Sequence, residues 1–446
     1  MEELMKTLIE EKKYADFRKL AGEMNEADIA SILEELPVEE FIRFFRFLPK
    51  DRAADVFSYL PIETQQQLIT SFTDTEASSI VENLFSDDAA DLLEEMPANF
   101  VKRILEKTSP ETRRTINQLL KYPEDSAGSI MTTEFLDLKE YMTVEQAIAR
   151  IRHEGIDKET LSNCYVLDKS RALVGAVALR SLVFAKSDDL VKDIMEDHVI
   201  SVSTHMDQEE VARIIQKYDF SAIPVVDSEN RLVGIITVDD VVDILQQEAT
   251  EDIEKMAAIT PSDKPYNKTG VFETWKKRVP WLLLLMVSAT FTGMIISYYE
   301  EALGTYTVLT SFIPMIMDTC GNAGSQASVS IIRALSLEEI KFKDLPATVW
   351  KEIRVSLLIG ATLAATNFVK LLVIDRVGVV IALVVCLTLI ATVFLSKVVG
   401  ATLPMLVKKI GFDPAVTASP FITTIVDALS LVVYFQFATL LLDMPV

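Results

Sequence analysis

Residues 279–299, VPWLLLLMVSATFTGMIISYY, run for 21 positions without a charged side chain. As an α-helix rising about 1.5 Å per residue, this stretch covers roughly the 30 Å of a bilayer's hydrocarbon. It decides the fold, because a chain that crosses lipid must satisfy its backbone inside helices. Apolar stretches over about 306–332, 355–374, 377–407 and 415–442 predict four further crossings, five in all. Lys276, Lys277 and Arg278 precede the first span. Arg333, Lys341, Lys343, Lys351 and Arg354 lie between the second and third, and Lys408 and Lys409 between the fourth and fifth. Lys and Arg in short connections stay on the cytoplasmic side. The N-terminal half is therefore expected in the cytosol and the C-terminus outside a plasma (inner) membrane.

The charge of this 446-residue chain is unevenly divided. Its formal net charge is −23, yet residues 276–446 hold 11 Asp or Glu against 13 Lys or Arg, whereas the first 275 hold 55 against 30. Such an acidic half repels phosphates and attracts cations, which excludes nucleic acid as a partner. Cys164, Cys320 and Cys386 are scattered and form no CxxC pair, so neither a disulfide framework nor a structural zinc site is expected. The N-terminus, MEELMKTLIEEKKY, lacks the layout of an export signal. No nucleophile–base pair, P-loop or HExxH is found, and an enzyme is not expected.

Polar residues inside the spans carry the functional signal. Residues 314–328 read PMIMDTCGNAGSQAS, with Asp318, Asn322 and Ser325 or Gln326 on one helical face. In the fifth span Asp413, Pro420, Thr423, Thr424 and Asp427 share a face, and Pro420 is expected to open backbone carbonyls. Thr388, Thr392 and Ser396 recur at i, i+4, i+8 in the fourth. Such stripes suggest a hydrated path, although Ser, Thr, Asn and Gln also bond helices together. Asp318 and Asp427 need another explanation, because spans two and five hold no Lys or Arg to pair with them and a bare charge in lipid is costly. Lys370 and Lys397, near the ends of spans three and four, are expected to snorkel to the interface. Five helices make a thin wall for a pore, so a homodimer with the pore on its two-fold axis is expected. Paired carboxylates suit Mg²⁺, which sheds water reluctantly, and the lack of a His or Cys cluster argues against a softer metal.

The acidic half is built of two repeats. Leu36-Pro37, Leu48-Pro49, Leu60-Pro61 and Met96-Pro97 recur at a spacing of 12, with Phe72 and Leu84 between, predicting short stacked helices. Over 130–245, Ile130 matches Ile194 and Gly175 matches Gly234, each copy predicting strand, helix, strand, turn, strand, helix. Residues 246–278 then continue as helix, broken near Pro261 to Pro265, into the first span.

The second repeat resembles a pair of CBS modules. The whole order, with PMIMDTCGNAGSQ and GFDPAVTASPFITTIVD in the membrane half, resembles the MgtE family of magnesium channels over essentially the full chain. The resemblance implies a multidomain α-helical membrane protein. Its parts would be a cytosolic α-helical superhelix (1–127), an α/β tandem CBS pair (128–192 and 193–249), a connecting or plug helix (250–278) and a five-helix transmembrane pore domain (279–446). It implies that Asp427 holds hydrated Mg²⁺ in the pore, lined by Asn322, Gln326, Thr423 and Thr424. Carboxylates matching the family's cytosolic Mg²⁺ sensor are Asp55, Asp87 and Asp91 in the superhelix and Asp207, Glu209, Asp219, Asp240 and Asp243 in the second CBS module. Glu248, Glu251 and Asp252 complete the set at the start of the connecting helix. Cys320 stands where the family usually has Gly, and Asp55 where Glu is common. Thr237 and Asp240 in GIITVDD match the layout with which CBS modules hold a nucleotide, which makes ATP a candidate ligand.

The acidic surfaces should repel one another unless divalent ions lie between them. The expected function is therefore a Mg²⁺-selective uptake channel that closes when cytosolic Mg²⁺ compacts these surfaces and presses the connecting helix on the pore. The alternative is a divalent-cation carrier coupled to Na⁺ or H⁺ through Asp318. A membrane-tethered CBS sensor that transports nothing is a third reading.

Overall fold

The twelve-residue punctuation becomes a stack of ten helices: α1 (Glu2–Glu10), α2 (Tyr14–Ala21), α3 (Glu26–Glu34), α4 (Val38–Phe45), α5 (Lys50–Ser58), α6 (Ile62–Thr70), α7 (Asp74–Asn83), α8 (Ser86–Glu94), α9 (Ala98–Lys107) and α10 (Pro110–Leu119). Asn25, Pro37, Pro49, Pro61, Thr73, Phe85, Pro97 and Ser109, each twelve from the next, are the N-caps of α3 to α10. The repeat thus extends beyond the prolines that reveal it. Proline fixes φ and cannot donate to the preceding helix, which it ends; Asn25, Thr73 and Ser109 instead accept from the backbone N–H of Ala27, Glu76 and Thr112. The amphipathic faces close over Phe17, Leu33, Phe44, Phe57, Leu68 and Leu92, all fully buried.

The computed structural model describes every residue except 263, 265, 418 and 443–446. It separates into two compact units, Met1–Leu245 and Gln246–Val446.

Within the first unit the helical stack is followed by two sheets of identical topology. One comprises β1 (Asp137–Lys139), α11 (Val144–Glu154), β2 (Asn163–Leu167), β3 (Leu173–Ala178), α12 (Leu179–Phe184) and α13 (Val191–Ile194). The other comprises β4 (Val202–Ser203), α14 (Gln208–Tyr218), β5 (Ala222–Val226), β6 (Leu232–Thr237) and α15 (Val238–Met256). In each, the first strand pairs parallel with the second and the second antiparallel with the third. Each sheet also takes an edge segment from the chain that leads into the other. Thr132 exchanges two backbone hydrogen bonds with Ile235 (2.9 and 2.9 Å), and Glu196 two with Ala176 (2.9 and 3.0 Å). The repeated glycines permit that approach, because a Cβ at Gly234 would fall 2.8 Å from the Thr132 carbonyl oxygen and one at Gly175 would fall 2.5 Å from the Met195 sulfur.

The second unit holds α16 (Val271–Tyr298), α17 (Glu300–Thr305), α18 (Ile313–Ser336), α19 (Leu345–Val373), α20 (Val379–Lys409) and α21 (Ser419–Leu442). Among the described residues, four segments are long and apolar enough to cross a bilayer: Val271–Tyr298, Phe342–Val373, Val379–Lys409 and Pro420–Leu442. The second expected span, α18, has 24 residues but is too polar to join them, because Asp318, Asn322, Ser325 and Gln326 interrupt it. Its apolar and small residues pack on α20 and α21. Small residues allow close contact: a Cβ on Gly400 of α20 would lie 2.4 Å from the Gly324 carbonyl oxygen of α18. Lys397, expected to snorkel, is instead buried at 4% exposure, because a carboxylate of α19, Glu352, lies 3.9 Å away. Lys370 behaves as expected, half-exposed and bonded to Asp375 at 2.8 Å.

Candidate functional site

Two groups of carboxylates stand out, one in each unit. In the second, Gly321 brings α18 against α21: a Cβ there would lie 3.1 Å from the Thr423 methyl and 3.7 Å from Asp427 Oδ1. Asp427 is half-buried beside this contact and within electrostatic range of Asp318. Asp318, Asn322, Gln326 and Ser330, four residues apart along α18, are all exposed on the single chain. A stripe of that polarity cannot face hydrocarbon without large cost, so water or another protein surface must cover it. Cys320 is fully buried, and the close approach is carried by Gly321 and Gly324.

Two expectations for this region change. Thr388, Thr392 and Ser396 do not line a path: all three are buried and donate to Val384, Thr388 and Thr392 carbonyls of their own helix at 2.8, 2.7 and 2.7 Å. The Pro420 carbonyl itself accepts from Thr423 and Thr424, both at 2.9 Å. Their hydroxyl lone pairs remain as acceptors. Asp413 lies in the loop before α21 rather than on its face. It accepts from Ala415 N–H at 2.8 Å and pairs with Lys255 of α15 at 2.8 Å. Lys255 also holds Glu251 at 2.6 Å, and Met256 packs on Ile332 and Ala415. The end of α15, where the expected connecting segment begins, is therefore bound to the α20–α21 loop by a three-residue charge bridge and an apolar contact.

In the first unit Glu134 accepts from the Ser86 hydroxyl (2.8 Å), the Thr132 hydroxyl (2.7 Å) and the Thr133 N–H (3.1 Å). These bonds fasten the start of α8 to the segment that edges the second sheet. They bring Asp87, Asp88 and Asp91 of α8 towards Asp240 of α15, and Glu159 joins them, its N–H bonded to the Glu134 carbonyl at 2.9 Å. Burial, then Asp88, Asp240 and Glu159, holds the Asp87 carboxyl well above its ordinary range. Burial, then Asp240, Asp239 and Asp55, pushes Asp88 up to about 6. Burial, then Asp240, Asp239, Asp88 and Glu134, pushes Glu159 up to about 7. Asp91 is raised by its surroundings and by Asp88, Glu94 and Asp240, although its own side chain remains exposed, so solvent screens it more than the others. Asp87 Oδ1 and Glu159 Oε2 are buried without a hydrogen-bond partner. Crowded, unsatisfied carboxylates are the donor set a hard cation fits. Among the described residues no three His, Cys, Asp or Glu already converge on one point, so an ion would be held partly through its own water.

Of the expected sensor residues the structure brings together Asp87, Asp91, Asp240, Asp243 and the outlying Asp55, and beside them lie Asp88, Asp239 and Glu159, which the sequence reading does not place in that set. Three other expected sensor residues make local contacts. Asp207 caps α14 by accepting from Glu209 N–H at 2.9 Å, Glu209 pairs with Arg213, and Asp219 ends the same helix in the left-handed conformation (φ 53°). Glu248 and Asp252 lie on α15, as does Glu251. Of the nucleotide residues, buried Thr237 donates to Asp240 Oδ2 at 2.6 Å, so the two are bonded to each other beside the acidic cluster.

Three family models match stretches of the chain. A family model described as "MgtE intracellular N domain" matches residues 24–125, one for the "CBS domain" matches 191–247, and one described as "Divalent cation transporter" matches 313–437. The magnesium transporter MgtE of Thermus thermophilus is 39% identical over 80% of this chain and 80% of its own length. That of Bacillus subtilis is 34% identical over 97% and 95%. The crystal structure of the cytosolic domain of the Mg²⁺ channel MgtE in complex with ATP covers 55% of this chain and all of its own, with a TM-score of 0.52 and 37% identity.

Proposed function

The chain belongs to the MgtE family of magnesium transporters, and from that premise we propose that it is a Mg²⁺ channel for uptake that closes when cytosolic Mg²⁺ is high. The observation that carries this reading is the exposed polar stripe of α18 beside Asp427. A homodimer that faces two such stripes across a two-fold axis would enclose them in water, double Asp427 and give Mg²⁺ oxygen ligands for its hydration shell. Asn322, Gln326, Thr423 and Thr424 would line that path. With α18 as a fifth crossing, the N-terminal domains lie in the cytosol and the C-terminus outside the plasma membrane, in line with the Lys and Arg of the connections. Inward flow then needs no fuel, since a divalent ion gains about 4.6 kcal/mol per 100 mV of inside-negative potential.

Closure would follow from the acidic cluster. Mg²⁺ between α8 and α15 relieves the repulsion among Asp87, Asp88, Asp91, Asp240 and Glu159, and the bridge from Lys255 to Asp413 would carry the compaction to the membrane helices. ATP at the CBS pair belongs to the same reading, supported by the relative that binds it. The test is current through bilayers containing purified full-length protein. Wild type should pass Mg²⁺ without a Na⁺ or H⁺ gradient, and Asp427→Ala should abolish it. Uptake that requires either gradient would establish the carrier instead, and current unaffected by Asp427→Ala would overturn this assignment of the path.

A further inference from the structure

Glu352 of α19 and Lys397 of α20 lie inside helices of crossing length, their side chains 12% and 6% exposed and their nearest nitrogen and oxygen 3.9 Å apart. That separation is too long for a hydrogen bond. A buried ion pair of loose geometry does not offset its own desolvation, and apolar replacements of such pairs are often equally stable. Glu352 stands between Lys351 and Arg354, at the cytoplasmic end of its span, and a buried ionisable pair beside a polar cavity there marks a place where ions enter or leave a path. The pair also lines a cavity of about 840 Å³ shared with Asn322, Ser325, Gln326 and Ser330 of α18. Six waters occupy roughly 180 Å³ at liquid density, so a hexahydrated divalent ion fits within it.

We propose that Glu352 is a second cation-binding carboxylate of the membrane domain, which receives a hydrated divalent ion from the amides of Asn322 and Gln326 while Lys397 serves as its displaceable counter-charge. Lys397 keeps the empty site neutral in its low-dielectric surroundings. It also discriminates by valence. A monovalent ion replaces one positive charge by another and gains little, whereas a divalent ion brings twice the charge to the same carboxylate. The cavity supplies polar oxygens for the water shell, as a weak, multi-site path requires.

This inference rests on the channel reading, and bilayer currents of the full-length protein separate the two. A wild type that passes no Mg²⁺ current sinks that reading. With a conducting wild type, Glu352→Gln should lower Mg²⁺ current roughly tenfold, about the effect of one lost charge contact, and Lys397→Met should admit Na⁺ when Mg²⁺ is removed. Glu352→Gln leaves Lys397 unpaired and can compromise folding, so the double variant E352Q/K397M decides. It should elute as a single species with wild-type thermal stability and still conduct poorly. Mg²⁺ current restored by E352Q/K397M, or by the charge exchange E352K/K397E, would make the pair structural only and overturn the proposal.

Discussion

Helices α18 and α20 both carry polar residues at i, i+4, i+8, yet one stripe is exposed and the other buried. Thr388, Thr392 and Ser396 have hydroxyls that reach the carbonyl one turn back and satisfy themselves there, so they pack like small apolar residues. Asp318, Asn322 and Gln326 carry more donors and acceptors than their own helix can use, and their face stays open. Spacing therefore puts residues on one face, but hydrogen-bonding capacity decides whether the face meets water or protein.

The largest effect expected from breaking the contrast is on α18. Asn322→Leu should reduce Mg²⁺ flux in proteoliposomes by about 100-fold, the loss of roughly 2.7 kcal/mol of polar stabilisation, while Thr392→Val should leave flux within about twofold. Next comes the soluble cluster, where Asp87→Asn should raise the Mg²⁺ concentration for half-maximal closure roughly tenfold, read as current against cytosolic-side Mg²⁺. The same cluster sets a pH dependence. Its carboxyls bind protons more tightly when folded, with Asp88 near 6 and Glu159 near 7 against ordinary values of 3.8 and 4.5. The cluster's contribution to the stability of the Mg²⁺-free protein is therefore full below about pH 4 and is lost as pH rises through 6 to 7. Millimolar Mg²⁺ should remove that loss, as unfolding temperatures measured with and without chelator will record. A smaller change is expected at the half-exposed bridge, where Lys255→Met should lower thermal stability by no more than about 1 kcal/mol yet weaken closure by Mg²⁺.

The repeats were legible because their punctuation is local: a helix starts every twelve residues, at a proline in four of eight places, and Gly175 and Gly234 mark the same edge contact in two sheets. The membrane helices were legible from unbroken apolar runs. What escaped reading depended on partners distant in sequence. Glu159 sits in a loop with no periodicity and reaches the cluster through a backbone bond to Glu134. Asp88 lies one residue from an expected ligand and is half-buried on α8, whose start is bonded to Glu134. Lys397 near a span end suggests snorkelling, and only the packing of α19 beside α20 reveals Glu352 next to it. The hydroxyl stripe of α20 has the spacing of a pore face and the hydrogen bonding of a core.

Thiol labelling discriminates most directly between the two stripes. In a chain whose native cysteines are replaced, Asn322→Cys and Gln326→Cys should react with a membrane-impermeant reagent and thereby block Mg²⁺ current, whereas Thr392→Cys should neither react nor block. Full current after complete modification at 322 and 326, or block from position 392, would contradict the assignment of the ion path to α18.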